Sequence, residues 1–219
     1  MKKNKRLIIS VLCVVLVLAM GIAGTLAWLS ATTNTENNKF TLAKTSGTDA
    51  AMKAEVIETF DPSEALELLP GAAVEKVVTV KNTSEKAIDE WVAVKLTFEK
   101  VDPAEDLAAM AALNKVMELQ ITGETEGDGN VFGANWVRKN VGVLQAEEIF
   151  YYNTKLAKDA TTGSLFDVVN ILSLSTNEEI DEVYSWEGFN IKVEGAAVQD
   201  IVGTTLNADV KDALDGLFA

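Results

Sequence analysis

The side chains available for chemistry in this chain are carboxylates, lysines and hydroxyls, because its 219 residues contain no histidine and a single cysteine, Cys13. Without imidazole there is no Ser-His-Asp triad, no Cys-His pair, no His-ligated zinc and no HExxH helix. Each of these needs a group titrating near neutrality or a neutral nitrogen ligand. Three groups of residues remain to be weighed. The loop Gly123 to Asn130 gathers Glu124, Glu126 and Asp128 among glycines and could offer oxygen ligands to calcium, although it lacks the spacing and closing Glu of an EF-hand. A solvated hairpin turn is the simpler reading. Glu147-Glu148 and Glu178-Glu179 with Asp181-Glu182 could supply the carboxylate pair of glycoside hydrolysis. In a chain this acidic, surface charge accounts for them. Trp136, Phe150, Tyr151, Tyr152, Trp186 and Phe189 could stack on sugar rings. Alternating with apolar residues on strands, they read as core, with Tyr151 and Tyr152 on opposite faces and one of the two exposed. A Lys-Asn crosslink needs only Lys, Asn or Asp and a buried acid, and composition leaves it open. No catalytic residue, no cofactor and no metal ligand set stands out.

The overall charge narrows the partners. Asp plus Glu number 33 against 19 Lys plus Arg, a formal charge of -14. That balance opposes polyphosphate, whose binding relies on Lys and Arg displacing counterions, so no nucleic-acid partner is expected. At 48% hydrophobic and 24% charged residues the chain is globular in composition, and its length suffices for a sizeable core.

The first residues set the location. Lys2, Lys3, Lys5 and Arg6 precede a strongly apolar run from Leu7 to Ala23, and no charge follows until Glu36. Thr25 and Ala27 then stand at the small-residue positions a signal peptidase reads, which places cleavage between Ala27 and Trp28. The alternative is an uncleaved transmembrane helix, since about 20 apolar residues span a bilayer. Removing residues 1–27 leaves 15 basic against 33 acidic residues, net -18, and no cysteine, so the exported chain would rely on packing without disulfides.

The elements that must position these residues are mostly strands. Ala54–Thr59, Val74–Lys81, Met117–Ile121, Asn135–Lys139, Glu148–Thr154, Asp167–Leu174 and Asn190–Gly195 are candidates, bounded by turn chemistry such as Pro70-Gly71 and Asn82-Thr83-Ser84. The clearest is Trp91–Phe98, with Val92, Val94, Leu96 and Phe98 on one face and Ala93, Lys95 and Thr97 on the other, a half-buried antiparallel strand. Asp102-Pro103-Ala104-Glu105 is a helix start, and Leu107, Met110 and Leu113 follow at helical spacing, which predicts a helix over 103–116. A second helix after Asn207 places Val210, Leu214 and Leu217 on one side. The organisation expected is a signal peptide at 1–27, a flexible leader and candidate donor strand at 28–48, and a mainly β, antiparallel sandwich domain at 49–219 with a short helical insertion and a C-terminal helix. Within the leader, Trp28-Leu29 and Phe40-Thr41-Leu42 are apolar pieces without a local partner.

The order of several features resembles the TasA/camelysin family. They are Gly24 to Ser30 at the end of the signal, the polar leader to Phe40-Thr41, Pro70-Gly71 before Val77 to Ser84, the Asp102 to Glu105 helix start, Trp136, Phe150 to Ala157 and Ala197-Val198-Gln199. The resemblance implies a jelly-roll-like β-sandwich, export by a Gram-positive bacterium through a dedicated signal peptidase, and a role as a biofilm matrix fibre subunit or cell-surface protein. Its partners would be further copies of itself, head to tail, and matrix or wall components. The family also carries a peptidase label, which a chain without histidine does not fit. The C-terminal Asp215 to Ala219 has no LPxTG-like motif, which argues against sortase attachment. A secreted carbohydrate-active or peptidase-like enzyme, or a monomeric wall-binding module, are the competing readings.

Overall fold

In a chain where apolar and polar residues alternate, strands form where one face can be dried, and the computed structural model follows that rule. It describes residues 30–32, 52–85, 87–100, 107–125, 127, 129–173, 175–184, 188–199 and 205–218. Nine strands are present among them: β1 (Ser30–Thr32), β2 (Ala54–Phe60), β3 (Ala73–Asn82), β4 (Glu90–Lys100), β5 (Met117–Gln120), β6 (Trp136–Arg138), β7 (Glu147–Tyr152), β8 (Val168–Ile171) and β9 (Phe189–Gln199). Three α-helices join them: α1 (Leu107–Val116), α2 (Asn177–Tyr184) and α3 (Ala208–Asp215). The strands form two antiparallel sheets, β1-β9-β4-β7-β6 and β2-β3-β8-β5. The mainly β, two-sheet fold expected from the sequence is the fold observed.

The longest pairing joins β4 to β9, from Glu90 opposite Gln199 to Lys100 opposite Phe189. On this frame Val92, Val94, Leu96 and Phe98 share a face with Ala197, Val193 and Phe150, and all of them are buried. Val56, Val78 and Val80 of the other sheet belong to the same core. Burying each such side chain contributes on the order of 1.5–3 kcal/mol.

The second face of β4 corrects an expectation. Trp91 and Ala93 are buried and Lys95 is mostly so, which makes the strand covered on both sides rather than half-buried. Helix α3 provides the cover, lying against β4 and β9. Ala93, Ala196 and Tyr151 stand side by side across three strands, and the two alanines leave room for a helix to approach. Val210 and Leu214 are the buried side chains of α3, and Leu217 packs at its end, the stripe expected from their spacing. Asn207 caps the helix by accepting from the Val210 N–H at 2.9 Å. Tyr151 and Tyr152 are consequently both buried, at 2% and 8% exposure, where one was expected outside. Helix α1 retains buried Met110 and Leu113, while its anticipated start at 102–106 lies outside the described residues.

The connection from β5 to β6 turns back on β5, with the Val131 N–H donating to the Leu119 carbonyl at 2.9 Å, and then crosses between layers, since β5 pairs with β8 in one sheet and β6 with β7 in the other. No helix among the described residues is long and apolar enough to cross a membrane.

Candidate functional site

The N-terminal strand and its acceptor form the first candidate. Strand β1 pairs with β9 through Ser30 opposite Val198, Ala31 opposite Ala197 and Thr32 opposite Ala196. It occupies only that end of β9. From Phe189 to Gly195, β9 is paired with β4 on one side and with no strand among the described residues on the other. An open strand edge presents N–H and C=O groups that another strand can satisfy. Lys192 and Glu194 lie along this edge in ion pairs with Glu99 at 2.5 Å and Lys95 at 2.9 Å, the sort of charge that discourages indiscriminate pairing. Ala27, Trp28, Leu29, Phe40 and Leu42, the expected cleavage and donor residues, lie outside the described residues, but Leu29 directly precedes β1. Three residues of the leader thus pair with the chain's own sheet.

The described part of the calcium candidate loop is organised around Glu118. Glu118 of β5 is 7% exposed, and its carboxylate accepts from the backbone N–H groups of Gly127 at 3.0 Å and Gly129 at 3.1 Å and from the Gln120 amide at 3.1 Å. The loop therefore turns donors inward around an internal anion, which the positive φ of Gly127 (91°) and Gly129 (86°) permits. The carbonyls of Thr125 and Gly129 accept from Gln120. Glu124 is exposed, and Glu126 and Asp128 lie outside the described residues. No group of three or more metal-ligating side chains occurs among the described residues.

The acidic pairs also separate. Glu147 is exposed, but Glu148 is fully buried rather than surface charge, accepting from Arg138 Nε at 3.0 Å and Nη2 and from the Gln145 N–H at 2.6 Å. Its place opposite Leu96 puts it on the core face, and a carboxylate there requires such a partner. Glu178, Glu179, Asp181 and Glu182 lie on α2, a helix the sequence reading took for charged surface. Glu179 is held below the usual carboxylate range by hydrogen bonds at Thr176 and by Lys115.

No protein-family model, no curated protein and no solved structure matches this chain.

One polar cluster was missed by sequence reasoning. Glu90 begins β4 and is fully buried between the ends of the two sheets. Its Oε1 accepts from the Ser84 hydroxyl at 2.5 Å, and its Oε2 has no partner among the described residues. Burial pushes its carboxyl up to about 7, against the lowering effect of hydrogen bonds from Ser84 and the Lys53 backbone. Asn82 beside it donates to the carbonyls of Ile88 at 2.7 Å and Leu156 at 2.9 Å and accepts from the Ser84 N–H at 3.0 Å. A buried acid and a buried Asn are thus neighbours, yet the Asn82 amide serves backbone carbonyls, while the Lys53 ammonium goes to Glu85. The signal was available, because Glu90 stands two residues before Val92 on the inward face.

Proposed function

We propose that this chain is an exported, non-catalytic structural protein, a self-assembling subunit of an extracellular fibre or a cell-surface component, in line with its resemblance to the TasA/camelysin family and with the jelly-roll-like form of sandwich that family implies. The observation that carries the reading is β1, a short strand laid on the end of β9 and separated in sequence by residues 33–51 from the body of the fold, which starts at buried Met52. A strand attached by so few residue pairs gains little from its own sheet and can exchange it for the same edge of another copy. Head-to-tail exchange does not close on itself and so extends into filaments. The absence of histidine supports a role without acid-base catalysis at neutral pH. Buried Glu118 and Glu148 are occupied by donors inside the fold, which supports a scaffolding use for these two carboxylates.

The test is electron microscopy and N-terminal sequencing of the protein recovered from the medium of expressing cells. Filaments from chains beginning at Trp28 are expected. Monomers only, or intact Met1 to Lys5 on membrane-held protein, overturn the reading. Chelator-sensitive proteolysis lost on changing one of the chain's own carboxylates would favour the enzyme alternative.

A further inference from the structure

Glu90 ties together several chain segments at one end of the sandwich. It opens β4 opposite Gln199 of β9, and its own N–H and C=O both go to Leu156 in the connection after β7, at 3.1 and 2.8 Å. Its side chain reaches the connection before β4, where the Ser84 hydroxyl donates to Oε1 at 2.5 Å. Ser84 in turn accepts from the N–H of Lys53, just ahead of β2, at 2.9 Å. The carboxyl is fully buried, and its Oε2 has no partner among the described residues.

An acid in such a place stays neutral, or is given a cation, or is given water. The described charged groups of the surrounding segments do not supply the cation. Lys53 pairs with Glu85, Lys158 donates to the Glu85 carbonyl, and Lys155 lies over the ring of Trp91, whose side chain leaves β4 on the other face from Glu90. Lys81 stands on the outer face of β3, opposite Glu55. Glu85, Asp89 and Asp159 are exposed and share the sign of Glu90. Tyr152 of β7 turns its hydroxyl to the Gly163 N–H. The end of β9 from Ala196 to Gln199 and the three residues of β1 carry no charge.

Water then has to enter by parting a seam, and the end of a ladder is where the fewest pairs part. Glu90 and Gln199 are the last pair of β4 with β9. One position further in, Val198 lies between Trp91 of β4 and Ser30 of β1, and all of β1 rests on Ala196 to Val198. Opening this end removes the seat of β1, while Phe189 to Gly195 keep their pairing with β4.

We infer that Glu90 is a pH-operated latch on β1: neutral, it keeps the end of the sandwich closed with β1 in its own sheet, and ionised, it opens that end and frees β1 for exchange with a second copy. The opening rests on the fold alone, and the use of the freed strand rests on the assembly reading above. Burial sets the direction, pushing the carboxyl from its ordinary 4.5 up to about 7. Opening restores the ordinary value, so the open fraction grows by up to about tenfold per pH unit between those limits and levels off above them.

The experiment is amide hydrogen exchange from pH 5 to pH 8, corrected for its intrinsic pH dependence, on protein recovered from cells expressing the full chain, beside Glu90→Gln. Opening at Ser30 to Thr32, Leu156 and Ala196 to Gln199 is expected to rise by about fiftyfold or more across this range in the parent and to stay flat in the variant. Leu96 and Val193, at the middle of the β4–β9 ladder, are expected not to follow. Ser84→Ala removes the hydrogen bond that favours the charged form, so its rise is expected to continue to higher pH than the parent's; a rise that ends at the same pH overturns the latch. So does opening that is flat with pH, equal in parent and Glu90→Gln, or uniform over the core. Light scattering follows filament growth over the same range. Growth that quickens with pH in the parent but not in Glu90→Gln supports the latch and the assembly together. The expected opening without filaments at any pH supports the latch and overturns the assembly reading. Filaments growing alike in both proteins at every pH leave that reading standing and overturn the latch.

Discussion

At the scale of single residues, the fold places acids where water cannot reach them, and their partners decide what each one does to stability. Glu90 has the least support, with one oxygen unpartnered among the described residues and a carboxyl that burial pushes from its ordinary 4.5 up to about 7. A raised carboxyl means the folded chain holds this proton more tightly than the unfolded chain. The stability it allows is complete below the unfolded value and is lost as pH rises through the window from 4.5 to about 7. Glu90→Gln, which keeps the shape without the charge, is expected to stabilise the protein at pH 8 by on the order of 3 kcal/mol and to have little effect near pH 4.5. Urea unfolding at the two pH values checks this, and an equal effect at both would show that burial does not raise the Glu90 carboxyl above its unfolded value. Glu118 is the opposite case, a carboxylate surrounded by donors. Glu118→Gln puts an amide against the Gly127 and Gly129 N–H groups and is expected to cost about 1–3 kcal/mol in the same measurement. Added calcium should leave the parent's thermal midpoint unchanged, because the loop's N–H groups already converge on an anion. Neither role could be read from the local acidic pattern. The parity of Glu90 with Val92 was legible, but Glu118 acquires its partners only when the loop after β5 folds back.

At the scale of elements, alternation and turn chemistry located the strands, because a strand carries its face pattern in its own residues. The cover on β4 was not legible. Ala93, Lys95 and Thr97 look like a wet face until α3, more than a hundred residues later, lies down on it. Tyr151 marks that docking, donating from its hydroxyl to Asp215 Oδ1 at 2.6 Å while Lys139 holds Oδ2 at 2.7 Å. Burial, with Asp215 beside it, pushes the Tyr151 phenol up, so it remains a donor through neutral pH. Leu214 is fully buried at this contact. Leu214→Ala is expected to destabilise the protein by about 2–5 kcal/mol, measured by denaturant unfolding. A cost near zero would mean that α3 is not packed as described. Helix α2 was missed because its charged residues outnumber its apolar ones. Its start was nevertheless written in Thr176-Asn177-Glu178-Glu179, a capping box in which the Thr176 N–H donates to Glu179 at 2.9 Å and the Glu179 N–H to Thr176 at 3.3 Å.

At the scale of the whole molecule, the two-sheet architecture followed from many short strands, but which sheet each strand joins did not, since pairing partners are far apart in sequence. Strand β1 is the sharpest instance. Its three residues carry no periodic signal, and its place on β9 depends on an edge that exists only once β4 and β9 have paired. The leader therefore has two ways to satisfy that edge, in its own copy or in a neighbour, and the residues flanking β1 decide between them. Trp28 and Leu29 next to β1 add apolar surface whose burial could contribute roughly 2–5 kcal/mol before ordering costs. The comparison that separates the two is between the chain beginning at Trp28, a chain beginning at Lys39, and the chain carrying Trp28→Ser with Leu29→Ser. The chain from Lys39 is expected to remain folded, because its β9 keeps β4 along its full length, and to form no filaments by electron microscopy. The double serine variant keeps β1 and should polymerise more slowly. Equal polymerisation by all three would assign β1 to its own sheet alone and remove the N-terminus from the assembly.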